Sequence, residues 1–228
     1  MLILALDTAT PSGSIAVLRG EKVIGLVATE SGETYSSRMF RQLEFLLGEL
    51  GLARDAFDLF AVNAGPGSFT GLRVGLTAAK GWAEVYGKPV AAVSGLQAVA
   101  EQSSADGLVV PLLDARRGEV YFGFYERGAD GLVRREDDRV GSPEEFLAAI
   151  GGLANSVVVS PDFSACGNVQ VQLRERRIRC ETVSSILAPV IGRLAYRAAQ
   201  RGDVVDALTL DANYVRRSDA ELHWKGHP

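Results

Sequence analysis

The residues best able to support chemistry stand at the ends of two similar strand–turn–strand segments. Asp7 ends an apolar strand and precedes the polar turn 8–13, and Asp114 ends another and precedes the turn 115–118. A carboxylate in such a place can hold a metal ion or orient a water molecule. The alternative is that Asp7 accepts hydrogen bonds from the backbone of its own turn, as Asp often does in turns. The sequence leaves both interpretations open.

Neither turn has the composition expected of a phosphate cradle. Glycine allows backbone N–H groups to approach a phosphate closely, yet threonine follows Asp7, and two arginines occupy the second turn. Arginine can pair with phosphate, although its bulk does not favour a cradle. We therefore expect at most vestigial phosphate turns, whose polar residues are Asp7, Thr8, Thr10, Ser14, Asp114 and Arg116.

A third candidate is the glycine-rich stretch "AGPGSFTGLRVG", which precedes a helical pattern. Its first and third glycines, Gly65 and Gly71, are six residues apart, and Leu72 stands where a phosphate-binding loop has lysine. We expect a sharp strand-to-helix turn capped by Ser68 or Thr70, while the free N–H groups at the helix start leave anion binding open. The residues assigned to this turn are Gly65, Gly67, Ser68, Thr70 and Arg73.

Two predicted helices, 35–50 and about 70–86, have more apolar surface than one sheet can cover. Small residues recur at every fourth position from Gly71 to Ala83, and Phe40 and Phe45 lie off the main apolar stripe of the first helix. We predict a protein–protein interface, the alternative being that the helices only pack on each other. The predicted interface residues are Tyr35, Met39, Phe40, Leu43, Leu46, Leu47, Gly71, Leu72, Gly75, Leu76, Ala79, Trp82 and Ala83.

The elements that position these residues form a repeated pattern. Three apolar runs, a helix, a strand, a helix, a strand and a short helix occupy the first half, and the order recurs from Val109. In the second half we expect a third strand at about 132–140 and a last helix at about 185–201. The two strand–Asp–turn–strand hairpins resemble those of the actin-like or RNase H-like (ASKHA) superfamily, and we therefore expect an α/β fold of duplicated βββαβαβα domains, 1–105 and 106–228.

Composition and charge exclude several classes of function. The 228 residues are 47% hydrophobic with a net charge of −4, which does not favour nucleic-acid binding by the chain alone. Two cysteines are too few for a disulfide framework. The opening segment lacks a basic region, and no run could span a membrane, so we expect a cytoplasmic protein. His223 and His227 stand near the end and predict no metal site, and the arginine cluster 174–179 is expected to be a solvated face.

Several motifs together resemble the TsaB (YeaZ) family of bacterial proteins. They are "ILALDTAT", "GPGSFTGLRVG", "VSGLQAVA", "LLDARRGEVYFGFY" and "YVRRSDAELHWKG", and they extend over almost the whole chain. The resemblance implies a non-catalytic relative of TsaD, which with the ATPase TsaE transfers threonylcarbamoyl to the adenosine beside the tRNA anticodon. TsaD holds its metal with two histidines on the helix equivalent to 35–50, where this sequence has none.

From this resemblance we expect a scaffold or activator subunit and no enzyme. It implies a TsaD partner bound through the helices of the first domain, a homodimer when alone, and contact with TsaE and tRNA only within the assembled complex. It also implies no membrane partner and no cofactor of its own, with ATP and metal held by partner subunits. The alternative is an independent ASKHA-type ATPase or small-molecule kinase acting through Asp7 or Asp114.

Overall fold

The first half of the chain builds a five-stranded sheet in a computed structural model that describes residues 1–31, 33–129, 131–153 and 156–216. The strand order is β3-β2-β1-β4-β5, with β2 antiparallel to β1 and β3, and β4 parallel to β1 and β5. The elements are β1 (Leu2–Asp7), β2 (Ser14–Arg19), β3 (Lys22–Ala28), α1 (Tyr35–Leu50), a 3-10 turn (Arg54–Ala56), β4 (Leu59–Gly65), α2 (Phe69–Tyr86), β5 (Val90–Ser94) and α3 (Gly95–Ala100).

The second half builds a sheet whose main path, β10-β7-β6-β11-β12, runs in the same order, and an added hairpin of β8 and β9 pairs with β6. The elements are β6 (Gly107–Arg116), β7 (Glu119–Phe122), β8 (Tyr125–Gly128), β9 (Gly131–Arg134), β10 (Arg139–Gly141), α4 (Pro143–Ala149), β11 (Val157–Ser160), a 3-10 turn (Ser164–Cys166), α5 (Val169–Glu175), β12 (Arg179–Thr182) and α6 (Ala188–Arg201). The division near residue 105 stays a prediction.

The expectation of one strand over 132–140 is wrong. This stretch contains β9, paired with β8, and β10, paired with β7, and the segment between them pairs with neither strand. The separating residues, Arg135–Asp138, are all charged, so they offer no apolar side chains for the covered face of a sheet.

Helix ends follow local sequence signals. Helix α1 stops at Gly51, which adopts the left-handed conformation with φ of 60° that glycine tolerates best. Helix α2 begins after Ser68, whose hydroxyl oxygen accepts a hydrogen bond from the Gly71 N–H. In α4 the Ser142 and Glu145 side chains form a reciprocal capping box. These caps fix where the helices that line the candidate sites begin and end.

Three apolar clusters fill the layers of the molecule. One lies between the first sheet and helices α1 and α2, and another lies between the second sheet and helices α4 and α5. The third lies between the two sheets and includes α3 and α6. Helix α3, from the first half, packs on β6, whereas α6, from the second half, packs on β1 and β2. Each half therefore contributes a helix to the sheet of the other.

Candidate functional site

The first hairpin turn is organised around Asp7, which is completely buried. Its carboxylate accepts hydrogen bonds from the Ala9 N–H at 3.1 Å, the Thr10 hydroxyl at 2.5 Å and the Asn63 side-chain amide at 2.9 Å. Burial raises the pKa of Asp7, and these hydrogen bonds oppose that effect. Asp7 therefore stabilises its own turn and joins it to β4.

The start of α2 closes over this turn. Thr8 donates its hydroxyl hydrogen to the Gly71 carbonyl oxygen at 2.7 Å, and the Ser68 N–H donates to the Ala9 carbonyl oxygen at 2.9 Å. A Cβ added at Gly71 would lie 2.1 Å from the Thr8 carbonyl oxygen. Likewise, one added at Gly67 would lie 2.8 Å from both the Ala9 Cβ and its carbonyl oxygen. The glycine-rich stretch is thus where a hairpin and a helix of the same chain meet.

Gly75 belongs to the same contact between α2 and the first hairpin. A Cβ there would lie 2.4 Å from the Thr8 hydroxyl and 3.2 Å from a Val62 methyl group. Leucine at Gly75 would therefore disturb the fold itself, and not only a surface that a partner could bind. The small-residue stripe begins against the molecule's own hairpin, so a bulky side chain at Gly75 would separate α2 from it.

The remaining side of the turn is covered by Tyr35, at the start of α1. Its ring lies where a Gly13 side chain would be, and its hydroxyl is buried with no hydrogen-bond partner among the residues that the structure describes. Burial, with Asp7 nearby, raises the Tyr35 pKa. Ser14 is committed elsewhere, since its hydroxyl oxygen accepts from the Ala188 N–H at 3.1 Å and so holds the start of α6.

The second hairpin turn is open to solvent. Asp114 accepts a hydrogen bond from the Arg116 N–H at 2.7 Å, and the Arg116 guanidinium lies 3.5 Å from the same carboxylate. Arg116 and Arg117 both adopt left-handed backbone with φ of 63° and 57°. Arg216 anchors the base of this hairpin by donating to the Ala115 carbonyl oxygen at 2.8 Å and by pairing with Glu119. In the first turn, by contrast, the N–H groups of Ala9 and Gly13 are already bonded, to the Asp7 carboxylate and to the Thr10 carbonyl oxygen.

A polar cluster that the sequence did not predict joins the two halves. The Asp138 carboxylate accepts hydrogen bonds from the Tyr125 hydroxyl at 3.1 Å, the Ser94 hydroxyl at 3.2 Å and the Asn213 amide at 2.9 Å. Its side chain is 1% exposed, and burial raises its pKa. The Asn213 N–H also donates to the Ala64 carbonyl oxygen at 2.7 Å. Asp138 lies in the charged run Arg134–Arg139, inside the stretch predicted as one strand, and that context did not single it out as a buried group.

The predicted interface residues divide into buried and outward-facing groups. Those in the core of the same chain are Tyr35, Met39, Leu43, Leu46, Leu47, Leu72, Leu76, Ala79 and Ala83. Gly71 and Gly75 are buried against the first hairpin. Of the predicted set, Phe40 is exposed by 50%, and Trp82 is partly exposed. Thus helices α1 and α2 pack on each other and still leave aromatic surface uncovered.

That uncovered surface is a groove of about 640 Å³ between α1 and α2, which we call the α1–α2 groove. The Phe40 and Trp82 rings meet edge to face in it, with their centroids 6.3 Å apart. At one end the Arg73 guanidinium lies 4.0 Å from the Phe69 ring centroid, and Tyr214 packs on the same ring. Its lining residues are Ser36, Met39, Phe40, Phe69, Thr70, Arg73, Val74, Thr77, Ala78, Gly81 and Trp82.

Metal and membrane chemistry find no support in the described part of the chain. Within these residues, no three His, Cys, Asp or Glu side chains converge to hold a metal ion. His223 and His227 lie outside the described residues. No helix among those described is long and apolar enough to cross a bilayer.

The comparisons with known proteins agree with this architecture. A model of the TsaD family, described as tRNA N6-adenosine threonylcarbamoyltransferase, matches residues 18–210. A protein of Haemophilus influenzae named tRNA threonylcarbamoyladenosine biosynthesis protein TsaB is 39% identical, over 100% of this chain and 98% of that relative.

A Bacillus subtilis protein with the same name is 39% identical over 55% of this chain. That alignment spans 56% of the relative, so the chain matches about half of its length. Among solved structures, YeaZ from Pseudomonas aeruginosa superimposes with a TM-score of 0.75 at 28% identity, over 93% of this chain and 99% of that one.

Proposed function

The chain belongs to the TsaB proteins and to the wider family that the TsaD model describes, and from this premise we propose that it is a non-catalytic subunit in the synthesis of threonylcarbamoyladenosine in tRNA. Its role in this proposal is to bind and stabilise a catalytic TsaD subunit through the α1–α2 groove. The observation that carries the proposal is the aromatic groove left open beside a first hairpin that is closed.

The non-catalytic part of the proposal is supported by the first hairpin. In the actin-like superfamily this turn would wrap a nucleotide phosphate, and here its Asp7 is enclosed by Ala9, Thr10 and Asn63. Helix α2 and the Tyr35 ring occupy the space on either side of the turn. A phosphate would have to displace packed core to reach these backbone N–H groups, which favours a scaffold over an ATPase.

The partner-binding part is supported by the composition of the groove. Interfaces are enriched in aromatic residues and arginine, and the most important side chains cluster at the centre of the contact. The groove places Phe40, Trp82, Phe69 and Arg73 together on two neighbouring helices. Trp82 packs on the buried Phe60 ring, with their centroids 5.7 Å apart, and Phe40 packs in turn on Trp82, so the two aromatic rings at the centre of the groove are held in place before a partner arrives.

The test compares two phenylalanines on α1. Phe40 lines the groove, whereas Phe45 is 63% exposed outside it. We expect Phe40→Asp to weaken binding to TsaD from the same organism by about 2 kcal/mol or more, the range of a central interface residue. Phe45→Asp is the matched control and is expected to change binding little. Light-scattering chromatography and calorimetric titration with TsaD measure both variants.

Each outcome has a defined meaning. Loss of TsaD binding in Phe40→Asp alone supports the groove as the docking site. Equal binding by both variants and the unchanged chain would contradict it. An isolated chain that ignores TsaD and hydrolyses ATP would favour the independent ATPase or kinase instead. In our proposal a homodimer through the same groove forms when TsaD is absent, and TsaE and tRNA join only the assembled complex.

A further inference from the structure

An arginine-rich segment lies at the far edge of the second sheet, away from the α1–α2 groove. It joins the end of α5 to β12 and carries Arg174, Arg176, Arg177 and Arg179, all of them exposed. Glu175 is the acidic residue within this stretch, and there is no lysine. The segment therefore concentrates positive charge on a chain whose net charge is −4.

Two of these arginines form no side-chain hydrogen bond or ion pair within the described part of the chain. Arg176 donates to the Leu147 carbonyl oxygen at 2.6 Å, and Arg179 lies 3.7 Å from the Glu181 carboxylate. Arg174 and Arg177 make no side-chain hydrogen bond or ion pair with any residue that the structure describes. Their guanidinium groups keep their donors available to a ligand.

Arg177 also occupies a backbone position that favours glycine. It follows α5 with φ of 59°, while its N–H donates to the Arg174 carbonyl oxygen at 3.0 Å and the Ile178 N–H donates to Leu173 at 2.9 Å. This is the helix-ending arrangement in which glycine is usual, because other residues are strained there. No side-chain hydrogen bond or ion pair with the described residues compensates for the arginine, so its charge is the feature that distinguishes it from glycine.

A shallow cleft beside the segment gives a ligand room. Its volume is about 770 Å³, and three of the arginines line it together with the turn Gly151–Leu153. Asp106 is the acidic residue on its wall. Three guanidinium groups facing one carboxylate leave the cleft net positive.

We propose that this segment, Arg174–Arg179, contacts the phosphate backbone of RNA, and that within the assembly proposed above the RNA is tRNA. The inference rests on the proposed function for the identity of the RNA. Arginine forms paired hydrogen bonds with phosphate oxygens, and a set of arginines without lysine suits that geometry. Val171 is the exposed large apolar side chain on α5, so the surface lacks the apolar centre expected of a protein partner.

The test measures tRNA binding as a function of salt for the complex with TsaD, after chromatography has shown that the complex forms. Each phosphate contact contributes about 0.7–0.9 to the slope of log K against log salt, so Arg174→Glu with Arg177→Glu should lower the slope by about 1.5. We expect the dissociation constant to rise at least about tenfold at low salt. Arg19→Glu with Lys22→Glu removes the same charge from the exposed β2–β3 hairpin and should change neither quantity.

A second variant separates charge from structure. Arg177→Gly should raise the thermal midpoint by about 2 °C by relieving the left-handed strain, and should weaken tRNA binding at the same time. An unchanged salt slope, or an equal loss in the control, would overturn the inference. If poly-glutamate displaced tRNA from the complex as effectively as RNA does, RNA would no longer be supported as the ligand of this segment. Failure of the unchanged chain to bind TsaD would instead count against the proposed function, whereas an unchanged salt slope in a complex that does form would count against the arginine segment alone.

Discussion

The two hairpin turns share one plan and differ in nearly every contact. The first is buried, with Asp7 holding Ala9, Thr10 and Asn63. The second is exposed, and Asp114 holds the Arg116 N–H. The first has α2 packed directly on it through Gly71 and Gly75. A repeated sequence pattern therefore gives a closed structural joint in one half and an exposed basic loop in the other.

The difference between the two turns shows which features separate a phosphate-binding turn from a purely structural one. Both turns keep the aspartate, so the carboxylate alone does not distinguish a binding site from a structural joint. What distinguishes them is whether the backbone N–H groups are free and whether space remains around them. In the first turn, packing by α2 and Tyr35 removes both conditions.

The largest effect is expected from a substitution that separates α2 from the first hairpin. Gly71→Ala places a methyl group 2.1 Å from the Thr8 carbonyl oxygen, where backbone must move. We expect a loss of about 3 kcal/mol in the free energy of unfolding, as for severe overpacking. Gly81→Ala is the control in the same helix, because its added methyl meets nothing within 4 Å. It should stabilise by about 0.5–1 kcal/mol through helix propensity. Urea denaturation measures the free energy of unfolding of both variants, and equal values would contradict the tight packing of α2 on the first hairpin.

A smaller loss of stability is expected when the aspartate of either hairpin turn is replaced. Asp7→Ala leaves the Asn63 amide, the Thr10 hydroxyl and the Ala9 N–H without their buried acceptor. We expect a cost of about 2 kcal/mol, because each buried donor left unpaired incurs its desolvation penalty without a compensating hydrogen bond. Asp114→Ala, on the exposed turn, should cost under about 1 kcal/mol. Similar losses for the two variants in chemical denaturation would show that the hairpins are alike after all.

The smallest effect is a dependence on pH. Burial raises the pKa of Asp7 above 3.8, so the folded chain binds that proton more tightly than the unfolded chain. The Asp7 contribution to stability should therefore grow as pH falls from neutral through its folded-state pKa. Asp7→Asn should lack this gain, since an amide does not titrate. Thermal midpoints of both proteins between pH 4 and pH 7, roughly the window from the unfolded pKa upward, measure the difference, and parallel profiles would contradict it.

Much of the local structure followed from sequence. The apolar spacing and Gly51 predicted α1 at 35–50, where the structure has it, and the Ser68 cap predicted the start of α2 within one residue. The TsaB resemblance is confirmed by the relatives, and the actin-like class by the matching family and the YeaZ structure. Helix ends depend on neighbouring residues and the family resemblance depends on long motifs, and both can be read from the sequence alone.

The contacts between distant segments could not be predicted in the same way. The small-residue stripe indicated close approach, but spacing alone does not say that Thr8, rather than a second subunit, is what approaches Gly71 and Gly75. Asp138 lies in a charged run, and only the folded chain shows that Ser94 and Asn213 converge on it. The interface residues stay a prediction, and the exposed Phe40 is the residue at which it can be tested most directly.

The exchange of α3 and α6 between the sheets has a consequence for how the chain is made. As the first half leaves the ribosome, β1 and β2 lack the helix that covers them, because α6 begins at Ala188, about 170 residues after β2 ends at Arg19. A chain cut in the loop at 102–106 would give two fragments, each carrying a helix that the other needs. Such fragments should be unstable apart and should reassociate when mixed, so this fold is a natural basis for a split-protein reporter.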